Sequence, residues 1–222
     1  MLRRRVRLPL AWMPDELNAA LRECAAHAAG EGIFLGEMLD RLGRSSFCFA
    51  ALLLAVPFVQ PFSLGPLTML AGLTFLAVGW QMGRGLARPV LPDRAARLRI
   101  HGRGWLAALR FCARLLVVCR KVTRPRLEAW VSGAWGDRFV GWLIFVGGGL
   151  LALPAANLPF NNTLPALMII FACVAWLERD GLMAVVSLAW GVATVLYFAA
   201  IGVALFFFGS QVWTWIARWS PL

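Results

Sequence analysis

The stretch LPFNNTLPAL, residues 158–167, interrupts an otherwise strongly apolar segment with two prolines around a polar Asn-Asn-Thr triplet. Proline inside a helix removes a backbone hydrogen bond and clashes with the preceding turn. In lipid, the groups so exposed find no water, and the break is tolerated only where protein buries it or a wet cavity meets it. The segment therefore reads as two arms, residues 139–156 and 164–177, joined by a turn.

The same design occurs earlier in the chain. Residues 46–59 and 67–82 are apolar arms of about 21 and 24 Å as helix, short against a hydrocarbon core of about 30 Å. They are joined by PFVQPFSLGP, which carries Pro57, Pro61 and Pro66. As one broken helix the two arms would be too long, so the economical arrangement is a hairpin, re-entrant or built of short helices. The two copies match in order. LLAVP (53–57) answers LLALP (150–154), DRLG (40–43) answers DRFVG (137–141), and PF recurs at 61–62 and 159–160. Pro57, Pro61 and Pro66 thus have counterparts in Pro154, Pro159 and Pro165, and Trp80 in Trp176. Internal duplication is common in transporter folds, where the site lies at the repeat interface.

Composition agrees with lipid as solvent. The 222 residues are 60% hydrophobic with 11 tryptophans, and mean hydropathy is +0.71. Soluble domains run nearer half apolar, so an all-α integral membrane protein is expected. The net charge of +11 is concentrated: residues 84–138 hold 13 Lys+Arg against 3 Asp+Glu. A basic block between apolar segments fits a cytoplasmic loop attracted to anionic headgroups. No stacking-aromatic or groove-reading motif accompanies it, so nucleic acid is not the expected partner. The five cysteines (24, 48, 112, 119 and 173) show no CxxC spacing, and His27 and His101 stand apart. Neither a metal nor a cofactor is expected, and Cys48 and Cys173 read as small hydrophobes.

The expected organisation has five parts. Residues 1–45 form cytoplasmic amphipathic helices behind a basic tail, MLRRRVRLPLAWMP, too proline-broken for a signal peptide. Residues 46–83 are the first hairpin, 84–138 a basic interfacial linker, 139–180 the second hairpin, and 181–222 a C-terminal transmembrane helix with its tail. In the linker, Arg99, Arg103, Arg110 and Arg114 fall on one side of a helix over residues 98–121. Arginines at a span centre cost roughly 2.5–3.5 kcal/mol each, so this helix is placed at the interface. Its arginines would meet anionic headgroups or the diphosphate of a lipid-linked sugar.

The motifs GEMLDRLG, LLLAVPFVQPF, WQMGRGLARPVLP, RPRLEAWVSG and LPFNNTLPALMII…LERDGL resemble the ExoD family over roughly residues 30–208. These are bacterial membrane proteins linked to exopolysaccharide synthesis. The family's motifs fall here on Asp40, Arg41, Gly43, Pro57, Pro61, Gln81 and Gly83. They continue on Pro125, Arg126, Asn162, Pro165, Glu178, Arg179, Asp180 and Gly181. Pro89-Val90-Leu91-Pro92 departs from the family pattern, which has a denser basic run and a tryptophan there. The resemblance implies a process, exopolysaccharide production, and a bacterial inner-membrane location, without a defined activity.

Candidate chemistry gathers at the turns. Gln60, Asn157, Asn161, Asn162 and Thr163, with Glu178 and Asp180 of LERDGL, are the expected lining of a substrate or ion path. The plainer alternative is that the amides satisfy backbone freed by prolines and that LERDGL is a solvated turn. Asp40–Arg41 and Asp137–Arg138 would be gates or pins at the hairpin entrances, and GGG (147–149) a close helix-packing face. No Ser-His-Asp set, paired carboxylates or nucleotide motif is present, so no enzyme is expected. The leading expectation is a transporter-like protein moving a polysaccharide precursor, a lipid-linked intermediate or a coupled ion. A non-transporting scaffold or regulator of a polysaccharide assembly complex, in either case with room for a homodimer, is the alternative.

Overall fold

The computed structural model describes residues 33–60, 65–90, 92–97, 99–100, 127–153 and 158–219, with Val118 and Thr123 besides. The N-terminal tail and its first expected helix, Pro61, Pro154 and Asn157 lie outside the described residues, as does most of the linker with Arg103, Arg110 and Arg114. So do the side chains of Arg41 and Arg99.

The described chain is helical apart from one two-residue antiparallel pairing, β1 (Ile33–Phe34) with β2 (Arg99–Ile100). Helix α1 (Leu35–Leu42) follows β1, burying Met38, Leu39 and Leu42 while Glu37 and Asp40 stay exposed. It ends at Gly43, whose φ of 54° suits a residue without Cβ. Helix α2 (Ser45–Ala55) continues into a 3-10 turn (Val56–Val59) at Pro57, and α3 (Pro66–Gly83) starts with proline at its first position. A single turn, α4 (Asp93–Ala96), precedes β2. Arg99 and Ile100 are thus extended, a correction to the expected helix from residue 98.

The second hairpin comprises α5 (Gly133–Leu151) and α6 (Thr163–Glu178). Helix α5 starts well before the apolar run at residue 139, so Asp137 and Arg138 lie inside the helix rather than in an entrance loop. The last helix, α7 (Gly181–Trp219), has 39 residues and is about 58 Å long.

Contacts fix the directions. Gly72 lies against Ala152, Gly79 against Gly141 and Phe145, and Gly83 against Arg138, so α3 and α5 are antiparallel. Gln60 bonds Thr163 beyond the end of α2, and Arg44, before its start, meets Asp137. Asp137 also meets Trp176, near the end of α6. Hence α2 and α5 point one way, α3 and α6 the other. Both hairpins enter at one end and turn at the other. Each helix of one hairpin packs on the opposite helix of the second: α3 on α5, most extensively, and α2 on α6.

The α3–α5 contact is backbone against backbone. A Cβ on Gly79 would stand 2.4 Å from the Phe145 nitrogen, and one on Gly148 would stand 2.6 Å from the Phe75 Cβ. Small residues that admit such approach are how helices associate where lipid removes the hydrophobic drive. The expected GGG packing face is present: Gly147 faces Ile169 and Met168, Gly148 faces α3, and Gly149 faces Leu76. Helix α7 returns along α6, with the Ser187 hydroxyl donating to the Met168 carbonyl at 2.7 Å and the Tyr197 hydroxyl to the Pro159 carbonyl.

The outside of this bundle is apolar. Leu67, Met69, Leu70 and Leu73 of α3, Trp142 and Val146 of α5, and Leu182, Val185, Leu188, Val192 and Val195 of α7 are exposed. Residues 181–207 form a helix long and apolar enough to cross a membrane, and only 22% of its most apolar window is buried in the protein. That small share is unlike the core helix of a soluble domain, which is mostly covered.

Candidate functional site

Two polar clusters occupy opposite ends of the helices. At the turning end, Asn162 sits at the N-cap of α6, 1% exposed, without a side-chain bond to its own helix. Its Nδ2 donates instead to Thr68 Oγ1 on α3 at 3.3 Å. The Thr163 hydroxyl donates to the Gln60 carbonyl at 3.1 Å. Asn161 is buried beside them, and Phe160 takes the left-handed conformation, φ 61°, as the chain turns. The expected tip residues Gln60, Asn161, Asn162 and Thr163 are therefore brought together, and they join the hairpins. Pro57, Pro66, Pro159 and Pro165 frame this end; Pro165 is buried in the first turn of α6.

At the entrance end the carboxylate of Asp137, 8% exposed, accepts from Arg44 Nη1 at 2.8 Å and from the Trp176 indole N–H at 2.8 Å. The three residues come from the head of α2, the first turns of α5 and the last turn of α6. With Phe47, Met82 and Leu86 they line a cavity of about 10 Å³, near the threshold for one water. The indole bond to this buried carboxylate is worth about 1.5–3 kcal/mol, and the Arg44 bond less, because its side chain is 55% exposed to solvent screening.

The expected Asp-Arg neighbours do not pair as written in sequence. Consecutive residues of a helix point about 100° apart, so Asp137 meets Arg44 rather than Arg138, which is exposed. Asp40 meets Arg88 at 2.7 Å. Both partners of that second pair are more than half exposed, so it is worth little.

The expected path residues also separate. Glu178 and Asp180 lie at the entrance end, about 24 Å of helix from Asn162. Asp180 is buried, and its Oδ1 accepts the Leu182 backbone N–H at 2.9 Å, so it caps the start of α7. Gln81 is a clip: its Oε1 accepts from the Val90 N–H at 2.6 Å and its Nε2 donates to the Val90 carbonyl at 3.2 Å. Arg44, Thr68 and Tyr197 were not singled out by their sequence context. The signals available were an arginine just before an apolar run and a lone tyrosine in the chain.

A family profile described as "Exopolysaccharide synthesis, ExoD" matches residues 17–200. The chain is 32% identical over 194 residues to "Protein ExoD" of Rhizobium meliloti (strain 1021), covering 87% of this chain and 80% of that protein. No solved structure gives a significant match. With most of its length matched on both counts, the chain belongs to the ExoD family of exopolysaccharide-synthesis proteins.

Proposed function

We propose that the chain is a multi-pass protein of the bacterial inner membrane whose two repeated hairpins form a gated path for a small ion or proton serving exopolysaccharide production. The observation that carries this reading is Asp137. It is a buried carboxylate on a water-sized cavity, held by one residue of the first hairpin's entrance and one of the second's. Ionisable groups inside membrane helices are costly and mark ion or proton routes by default. The cavity's size favours an ion over a saccharide, which needs far more room. At the other end, Asn162–Thr68 and Thr163–Gln60 are short-range bonds between the hairpins, suited to breaking and reforming as a gate. The apolar outer faces support bilayer insertion, and the reciprocal contacts of the hairpins support the duplication read from sequence. In this reading the protein performs no covalent chemistry.

The test is reconstitution of the purified protein into liposomes loaded with a pH-sensitive dye, under imposed proton, Na⁺ and K⁺ gradients. Wild type should dissipate at least one gradient. Asp137→Asn should reduce that flux by about tenfold or more, as loss of a group essential to the path requires. Wild-type vesicles as tight as empty ones would sink the proposal. A second reading, a non-transporting scaffold of a polysaccharide assembly complex, is favoured by the backbone-tight α3–α5 contact, which leaves no room between those helices. It expects exopolysaccharide yield to fall when the basic linker is neutralised and to be indifferent to the tip residues.

A further inference from the structure

We propose that Cys48, Cys173 and Met82 form a binding site for a soft monovalent metal ion, Cu(I) or its surrogate Ag(I). Cys48 comes from α2, Met82 from α3 and Cys173 from α6, so the three are far apart in sequence and meet only through the packing of both hairpins. The Cys48 thiol points at the Met82 thioether with a sulfur–sulfur distance of 4.0 Å. Helix α6 runs antiparallel to α2 and packs on it, which brings Cys173 level with Cys48 and close enough for the two thiols to interact. Both cysteines are fully buried and Met82 is 3% exposed.

Thiolate and thioether ligands select soft ions such as Cu(I) over the hard cations that carboxylates and carbonyls prefer. Three sulfurs each about 2.3 Å from a central ion stand about 4.0 Å apart, the spacing already present between Cys48 and Met82. Both thiols are free rather than joined in a disulfide, and each gives up its proton on metal binding. Met82 also lines the small cavity shared with Asp137 and Arg44. Phe47, Leu86 and Trp176 make up the rest of its lining. Occupation would tie α2, α3 and α6 together and hold the two hairpins in one arrangement.

The experiment uses the full chain in detergent under anaerobic conditions, with Cys24, Cys112 and Cys119 replaced by serine to remove competing thiols. Ag(I), and Cu(I) buffered by a chromophoric chelator, are titrated in. One equivalent should bind, with a sulfur-only first shell of three by X-ray absorption. Cys48→Ala and Cys173→Ala should each lower affinity by at least a hundredfold while the protein stays monodisperse. Binding no tighter than to a Cys48→Ala/Cys173→Ala double variant overturns the site. Should the alanine variants fail to fold, Met82→Leu decides, because it conserves volume. Three sulfurs must then become two, and an unchanged count overturns the proposal.

Discussion

Asn162 occupies a position where asparagine ordinarily bonds the free N–H groups of its own helix. Its amide reaches Thr68 on the other hairpin instead, so the residue couples two elements rather than ending one. Removing either partner should cost about 1 kcal/mol, the net worth of a buried neutral hydrogen bond. Asn162→Ala and Thr68→Val should therefore each lower the midpoint of thermal unfolding in detergent, and the double variant should lose less than the two together. Strict additivity in that cycle would remove the bond from the account. Trp176→Phe poses the parallel question at Asp137. It keeps an aromatic ring, smaller than the indole, and deletes one donor to a buried carboxylate, so a loss of at least roughly 1.5–3 kcal/mol is expected. The sequence marked Trp80 and Trp176 as counterparts, and they act differently. Trp176 bonds Asp137, whereas Trp80 packs edge-on to Trp142 with the Arg84 guanidinium 5.4 Å above its ring. Position in a repeat was legible, but the partner was not, because the partner belongs to another helix.

At the scale of elements, the α3–α5 contact depends on glycines seven apart: Gly72 and Gly79 on one helix, Gly141 and Gly148 on the other. Seven residues is close to two helical turns, so each pair lies on one face. Gly79→Ala has no space, with its Cβ 2.4 Å from one backbone nitrogen and 2.7 Å from the Gly141 carbonyl oxygen. The helices must separate, and overpacking of this kind costs typically 1–3 kcal/mol. Gly149→Ala is the matched control, since its Cβ would meet only Leu76 Cδ2 at an ordinary 3.6 Å. Alanine's better helix propensity, worth up to about 1 kcal/mol, should leave that variant neutral or stabilised. Thermal unfolding of the pair checks both signs, and equal behaviour would mean the two helices are not in backbone contact. The run GGG was readable as a packing face, whereas Gly72 and Gly79 of α3 show their role only once α5 lies against them. Helix starts were less so. The apolar run begins at Phe139, but α5 begins at Gly133, because a helix can carry Asp137 inward once Arg44 and Trp176 meet it. Hydropathy alone does not see that compensation.

For the whole molecule, charge and shape give one orientation. Residues 45–83, 139–177 and 181–217 contain no charged side chain. Arg44, Arg84, Arg138 and Arg179 therefore all flank the entrance end, whereas among the described residues the turning end carries no charged side chain, its polar groups including Gln60, Thr68, Asn161, Asn162, Thr163 and Tyr197. In the membrane arrangement proposed above, the positive-inside bias would put the entrance of both hairpins on the cytoplasmic side. Helix α6 at about 24 Å and α5 at about 28 Å fall slightly short of a hydrocarbon core of about 30 Å. In that arrangement the hairpins would nearly cross, with the small mismatch taken up by local thinning or a recess above the tips. Helix α7 passes the tips at Tyr197 and continues for another 22 residues, about 33 Å of helix beyond them. Single cysteines placed at Arg84, Arg138 and Phe160 in an otherwise cysteine-free chain test this arrangement. A membrane-impermeant maleimide should label positions 84 and 138 alike in inside-out vesicles and neither in intact spheroplasts. Position 160 should escape labelling in inside-out vesicles. Opposite-side labelling of 84 and 138 is incompatible with Gly83 resting on Gly141, and it would replace the same-side hairpins with an inverted pair facing each other across the midplane.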